Sequence, residues 1–100
     1  MQNGYKIRWT SNALRELQQT FEYLEREFSE KELNKLAIEI EHTMKLISQN
    51  PYLFQKSEFK NIYRAIIFRF NILYYRINND EVEILSFFSN RQNPKNRKTE

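Results

Sequence analysis

The sequence contains no cysteine, a single histidine, one glycine and two prolines. Without cysteine the chain has no disulfide, no thiol nucleophile and no thiolate metal site, a composition typical of a reducing compartment. The lone histidine, His42, excludes a histidine-rich metal centre. The scarcity of glycine and proline predicts short loops.

Long apolar runs are also missing. The opening "MQNGYKIRW" lacks the apolar centre of a signal peptide, and no segment approaches the about 20 apolar residues that cross a membrane. We therefore expect a cytoplasmic protein. One hundred residues, 40% of them hydrophobic, suffice for one core. We expect one domain over residues 1–94 and a basic tail over residues 95–100.

Charge is distributed unevenly along the chain. The net charge is +3, but residues 11–50 carry five bases and eight acids, whereas residues 51–100 carry nine bases and five acids. A partner with a negative surface would be steered to the C-terminal half.

The first half of the sequence predicts a strand and two helices. "YKIRW" (5–9) alternates apolar and basic residues, the period of a strand with one buried face. Two helical stripes follow, and of the first we expect Leu17, Phe21, Leu24 and Phe28 to face the core. The full stripes are Leu14, Leu17, Phe21, Leu24 and Phe28, then Leu33, Leu36, Ala37, Ile40, Met44 and Ile47.

Capping residues set the expected helix boundaries. Thr10 or Ser11 can cap the first helix, and "SEKE" from Ser29 has the form of a capping box that starts the second. Asn50, which tolerates the left-handed conformation, and Pro51 then end it. Two helices of about 18 residues with almost no loop between them form an antiparallel hairpin.

The second half of the sequence predicts three strands, over residues 62–68, 70–77 and 82–88, rich in Ile, Tyr, Phe and Val. "NNDE" (78–81) is a turn sequence that joins the last two strands. The order β-α-α-β-β-β predicts an α+β fold, with a helix hairpin on one face of a mostly antiparallel four-stranded sheet. The other face is left to solvent or to a function.

Catalytic and metal motifs are scarce. His42 lies off the apolar stripe of its helix, so we interpret it as a surface residue. The glutamates between Glu22 and Glu41 are mixed with lysines and arginines, which favours a solvated face over a carboxylate metal site. No P-loop, dinucleotide fingerprint or zinc spacing occurs, and we expect no cofactor and no metal.

Basic residues of the sheet and of the C-terminal segment are the candidate binding groups. Arg64 and Arg69 interleave with aromatic residues in a pattern that either stacks bases and holds phosphates or belongs to an ordinary exposed sheet face. Arg91 directly follows the last strand, so the fold should fix its position, and Lys95 belongs to the basic segment after Pro94.

"YKIRWTSNALRELQQTFEYL", "SQNPYLF" and "FNILYYRINNDEVEILSFFSNRQNP", in this element order, resemble the RelE/ParE superfamily of toxins from type II toxin–antitoxin modules. The resemblance covers residues 5–94 and is most specific in the last strand with its "NRQNP" ending. It implies a bacterial toxin, with plasmid stabilisation as a related role, neutralised by an antitoxin encoded beside it. We expect a hydrophobic and acidic segment of the antitoxin to dock on the helix hairpin and a sheet edge.

The resemblance leaves two activities open. ParE-like members poison DNA gyrase, whereas RelE-like members cut messenger RNA on the ribosome. RelE-like nucleases carry an arginine before the central "I/L-x-Y", where this chain has Asn71, and a histidine or tyrosine near the C-terminus, where it has none after Tyr75. These departures favour a gyrase-binding toxin whose target contacts are Arg64, Arg69, Arg91 and Lys95.

The alternatives are a ribosome-dependent nuclease using Arg64, Arg69 and Arg91, and a non-toxic, antitoxin-binding relic.

Overall fold

The structure is a computed structural model that describes residues 4–67 and 71–89. Two helices and five strands account for most of this part, with a short 3₁₀ turn, Pro51–Leu53, after the second helix. The elements are β1 (Lys6–Trp9), α1 (Ser11–Glu27), α2 (Glu30–Gln49), β2 (Gln55–Lys56), β3 (Tyr63–Ile67), β4 (Asn71–Asn78) and β5 (Glu81–Ser89).

The strands form one sheet in the order β1-β5-β4-β3-β2. β1 runs parallel to β5, and all other neighbours are antiparallel. The predicted α+β class and the mostly antiparallel sheet are confirmed. The strand count of four was wrong, because β2 has two residues and no apolar alternation by which the sequence could reveal it.

The hydrophobic core lies between the helix hairpin and one face of the sheet. Leu24 of α1 and Leu36 and Ile47 of α2 are buried against alternate residues of the sheet. Thr20 also lies in this layer, because its hydroxyl donates to the carbonyl of Glu16 at 3.0 Å and so needs no water. The sheet residues of the core are Tyr63, Ala65, Ile67, Leu73, Tyr75, Val82, Ile84 and Phe87.

Three apolar positions of the predicted stripes lie outside this core. Leu14 of α1 is 50% exposed. α1 ends at Glu27, so Phe28 leaves the stripe as the C-cap in extended conformation, 41% exposed, with its ring edge-on to Tyr23. Ala37 is exposed beside buried Leu36. Leu17, Phe21 and Leu24 pack in or against the core as predicted.

The observed helix ends agree only in part with the predicted capping interactions. Thr10 caps α1 by accepting from the amide of Ala13 at 3.3 Å. Ser29 occupies the N-cap of α2, but its side chain makes no capping hydrogen bond, so the predicted capping box is not formed. Asn50 has φ −155°, which corrects the expected left-handed conformation. Asn79, with φ 61°, does adopt it in the predicted turn between β4 and β5.

Candidate functional site

The helices cover only one face of the sheet, and the opposite face is the candidate site. On β3, Tyr63, Ala65 and Ile67 are buried under the helices, while Arg64 and Ile66 point to the other side. We call this side the open face. Its members are Lys6 and Arg8 of β1, Arg64 and Ile66 of β3, Ile72, Tyr74 and Arg76 of β4, and Glu83, Ser86 and Phe88 of β5, as strand alternation and the register place them.

At one end of the open face, two arginines enclose one carboxylate. Glu83 is 6% exposed and accepts hydrogen bonds from Arg76 Nε at 2.6 Å and from Arg8. The bond from Arg76 is the main cause of a pKa of Glu83 below its usual value, although burial acts in the opposite direction. Arg8 also pairs with Glu81 at 3.4 Å. The positive charge at this end is therefore largely neutralised within the protein.

Arg64 lies in the middle of the open face, in a different electrostatic setting. It is half-buried, stands directly opposite Tyr74 in the β3–β4 register, and forms no ion pair or side-chain hydrogen bond with any residue that the structure describes. A polar cavity of about 200 Å³ surrounds it. The lining residues are Gln55, Lys56, Ser57, Glu58, Arg64 and Tyr74. This guanidinium is thus available to an external anion.

An apolar groove of about 460 Å³ lies on the other side of Tyr74. Phe59 stands edge-on to the Tyr74 ring, with centroids 6.5 Å apart. The full lining is Phe59, Ile62, Tyr74, Leu85, Ser86 and Phe88. Because Tyr74 lines both spaces, the polar cavity and the apolar groove are neighbours on one surface.

The α1 helix holds the β5 wall of this groove in place. The β4–β5 register shifts at Tyr74/Tyr75, and β1 ends opposite Ile84, so the following part of β5 has no strand on its outer side. Glu16 of α1 fills this place: its Oε1 accepts from Ser86 Oγ at 2.8 Å and from the Phe87 amide at 2.9 Å. Asn12 donates to the Leu85 carbonyl at 3.0 Å.

Of the predicted target contacts, only Arg64 can be placed, and it lies on the open face. Arg69, Arg91 and Lys95 fall outside the described residues. Asn71 is 1% exposed at the start of β4. It pairs with Ile67 and Ser89, so it belongs to the helix-covered side of the sheet.

Sequence reasoning missed the neighbours of Arg64. Lys56 ends β2, a strand of two residues, and Glu58 lies in the loop after it, so neither belongs to a recognisable periodic pattern. The sequence did not distinguish Tyr74 from the other aromatic residues of the sheet. Tyr74 lies one residue before Tyr75 and so outside the C-terminal stretch in which RelE-like nucleases carry a histidine or tyrosine. Arg64, Tyr74 and Glu58 bring a guanidinium, a phenol and a carboxylate to one cavity, which suits anion binding and also proton transfer.

His42 is exposed, as expected of a surface histidine. Within residues 4–67 and 71–89, no group of three potential metal ligands comes together. No helix in this part of the chain is both long and apolar enough to cross a membrane.

Comparison with known proteins finds similarity to toxins of toxin–antitoxin systems. The family model described as "ParE toxin of type II toxin-antitoxin system, parDE" matches residues 7–94. No curated protein matches the chain. A structure of the chromosomal ParDE toxin–antitoxin system from P. aeruginosa has a TM-score of 0.73 at 17% identity, covering 85% of this chain and 95% of that one.

Other solved structures are similar in fold. The YoeB dimer from Staphylococcus aureus has a TM-score of 0.58 at 20% identity, covering 84% of this chain and 94% of its own. The toxin–antitoxin complex of DinJ and YafQ from E. coli gives 0.57 at 14% identity, covering 87% and 93%. At these identities the likeness establishes the fold, whereas the family match spans nearly the whole chain. The chain therefore belongs to the ParE toxin family of type II toxin–antitoxin systems.

Proposed function

We propose that this ParE-family toxin arrests bacterial growth by binding and poisoning DNA gyrase, and that an antitoxin encoded beside it neutralises it. Membership of the family supports the toxin role. The single observation that carries the binding role is Arg64, a half-buried guanidinium without an internal partner among the described residues, set in a cavity on the open face. We expect Arg69, Arg91 and Lys95 to add contacts to the same target, in the cytoplasm.

The surroundings of Asn71 favour binding over RNA cleavage. The resemblance to the RelE/ParE superfamily implies an arginine at this position in RelE-like nucleases. Here the position is buried on the helix-covered side, so a charge there could not reach a substrate on the open face. No cofactor is needed for a toxin that acts by binding.

Pulse-labelling of DNA, RNA and protein synthesis just after the gene is induced without its neighbour tests the target. We expect DNA synthesis to fall first. With purified components, the protein should inhibit ATP-driven supercoiling of a relaxed plasmid by gyrase and accumulate cleaved DNA. Supercoiling that proceeds at the normal rate with excess protein would contradict the proposal.

Arg64→Ala should weaken both the growth arrest and the gyrase inhibition. Arg26→Ala is the matched control, because Arg26 is an exposed arginine on α1 whose side chain, among the described residues, pairs with Glu27 and Tyr23 of its own helix. Equal inhibition by the two variants would remove Arg64 from the target surface.

A second candidate function has a specific observation in its favour. Glu58 and Tyr74 line the Arg64 cavity, so a ribosome-dependent messenger RNA nuclease would find a carboxylate, a phenol and a guanidinium there. That nuclease would also use Arg69 and Arg91. If protein synthesis stops first, and Tyr74→Phe and Glu58→Gln abolish the arrest, this function replaces the first. Absence of any arrest would identify a non-toxic, antitoxin-binding relic.

A further inference from the structure

The apolar groove on the open face is bordered by side chains that are unusually exposed for their size. Phe59 is 55%, Ile66 57% and Phe88 41% exposed. All three lie on or beside one face of the sheet, next to the groove lined by Leu85 and Ile62. Contiguous apolar surface of this kind marks an interaction site.

The groove walls select an apolar occupant. The side-chain polar atoms of its lining are Ser86 Oγ, which already donates to Glu16, and the Tyr74 hydroxyl. A nucleobase placed there would leave most of its polar edge without a partner, which costs free energy. A Leu, Phe or Trp side chain would lose nothing and would bury apolar area.

The neighbouring cavity complements a negative charge. Two cations, Arg64 and Lys56, line it together with one acid, Glu58. Arg64 has no partner among the described residues, in contrast to Arg8 and Arg76, which Glu83 engages. A carboxylate placed at Arg64 would gain a charge-assisted hydrogen bond without breaking an existing pair.

The sheet edges offer less than the open face. β2 has two residues and β1 has four, so strand addition at either edge would form few backbone hydrogen bonds. The outer side of β5 beyond β1 is already occupied by Glu16 and Asn12. Docking by side chains on the open face is therefore favoured over docking at an edge.

We propose that the groove and the Arg64 cavity form one docking site for an acidic peptide segment of the antitoxin. The segment places a large apolar side chain in the groove and a carboxylate from an adjacent residue on Arg64. This inference rests on the proposed pairing with an antitoxin and relocates its contact from the hairpin and sheet edge to the open face.

Backbone amide NMR of the ¹⁵N-labelled protein tests this site with three small probes. The probes are the tripeptide acetyl-Glu-Phe-Glu-amide, its neutral counterpart acetyl-Gln-Phe-Gln-amide, and the dinucleotide of thymidine. We expect the acidic tripeptide to shift the amides of residues 59–64 and 85–88, the neutral one to bind more weakly, and the dinucleotide to leave these amides unmoved.

Two variants sharpen the test. Arg64→Ala should weaken binding of the acidic tripeptide about tenfold, as expected for one lost charge-assisted hydrogen bond, and should remove its advantage over the neutral one. Phe88→Ala should weaken both tripeptides, and Arg26→Ala should change neither.

Several results would overturn the proposal. These are shifts from the dinucleotide but not from the acidic tripeptide, shifts confined to α2, an absence of shifts at any attainable concentration, or groove shifts that depend on protein concentration alone and so report a second copy. Neither gyrase nor growth enters the measurement, so failure of the gyrase proposal leaves its result interpretable.

Discussion

Arg76 Nε donates to Glu83 Oε1 at 2.6 Å between residues that stand directly opposite each other on β4 and β5. Arg8, opposite Glu83 on β1, donates to the same carboxylate from the other side. One nearly buried acid thus connects three strands. Removing the acid leaves two guanidinium groups facing each other, so the carboxylate is the central member of this cluster.

Glu83→Gln should lower the melting temperature at neutral pH, and the deficit should shrink in acid. Because the folded-state pKa of Glu83 is lowered, its contribution is present above the ordinary value of 4.5 and is lost as the pH falls through the folded-state pKa. Thermal unfolding between pH 7 and pH 3 measures this convergence.

Glu81→Gln provides the control for that series. Glu81 also pairs with Arg8, at 3.4 Å, but its side chain is 32% exposed against 8% for Glu83. Its replacement should change the melting temperature little at any pH. A deficit of Glu83→Gln that stays constant from neutral to acid pH would contradict the assigned role.

Tyr75→Phe should destabilise the protein by about 1–3 kcal/mol. The buried Tyr75 hydroxyl donates to the Pro51 carbonyl at 2.7 Å, and its loss leaves that carbonyl without the partner. Urea unfolding gives the free energy. Tyr74→Phe is the matched control, because Tyr74 is half-buried and its hydroxyl has no hydrogen bond within the described residues; equal losses would place the effect in the ring environment instead.

Leu24→Ala should cost about 2–5 kcal/mol of the free energy of unfolding, as expected for a fully buried leucine. Leu14, on the same helix, is 50% exposed, and Leu14→Ala should stay within about 0.5 kcal/mol. The pair can be compared in one series of denaturation curves. A large loss of unfolding free energy in Leu14→Ala would contradict the exposed position of this side chain.

Thr10→Ala should cost about 1 kcal/mol, and Ser29→Ala close to nothing, although both are N-cap residues. The Thr10 hydroxyl accepts from the Ala13 amide and donates to the Ile84 carbonyl at 2.7 Å, whereas the Ser29 side chain makes no capping bond. Chemical denaturation of the two variants tests whether the Ser29 side chain caps α2, as the sequence pattern predicts, or makes no capping bond, as in the structure.

Local patterns predicted most of the elements. Helical periodicity located both helices, and the runs rich in Ile, Tyr, Phe and Val predicted β3, β4 and β5. The parallel pairing of β1 with β5 joins Ile7 to Val82, which no local pattern encodes. Phe28 was wrongly assigned to the buried stripe of α1, because the helix ends one residue before it.

The candidate site was only partly accessible to sequence reasoning. Arg64 could be named as a candidate, because a basic residue among alternating aromatic residues is visible within one strand. The other residues that line its cavity come from other segments: Tyr74 lies opposite Arg64 on β4, Lys56 ends β2, and Glu58 lies in the loop after β2. Glu16 is one of many helical glutamates, and only its distance to the Phe87 amide reveals that it supports β5.

The pairing of β1 with β5 also orders events during synthesis of the protein. β5 lies between β1 and β4, so the sheet lacks an inner strand until residues 81–89 have been made. The helix hairpin, with its local contacts, can form early, but the N-terminal strand must wait for a partner more than 70 residues away. The open face is therefore assembled only after residues 81–89 have been synthesised, and a chain that stops before them lacks the inner strand of this face.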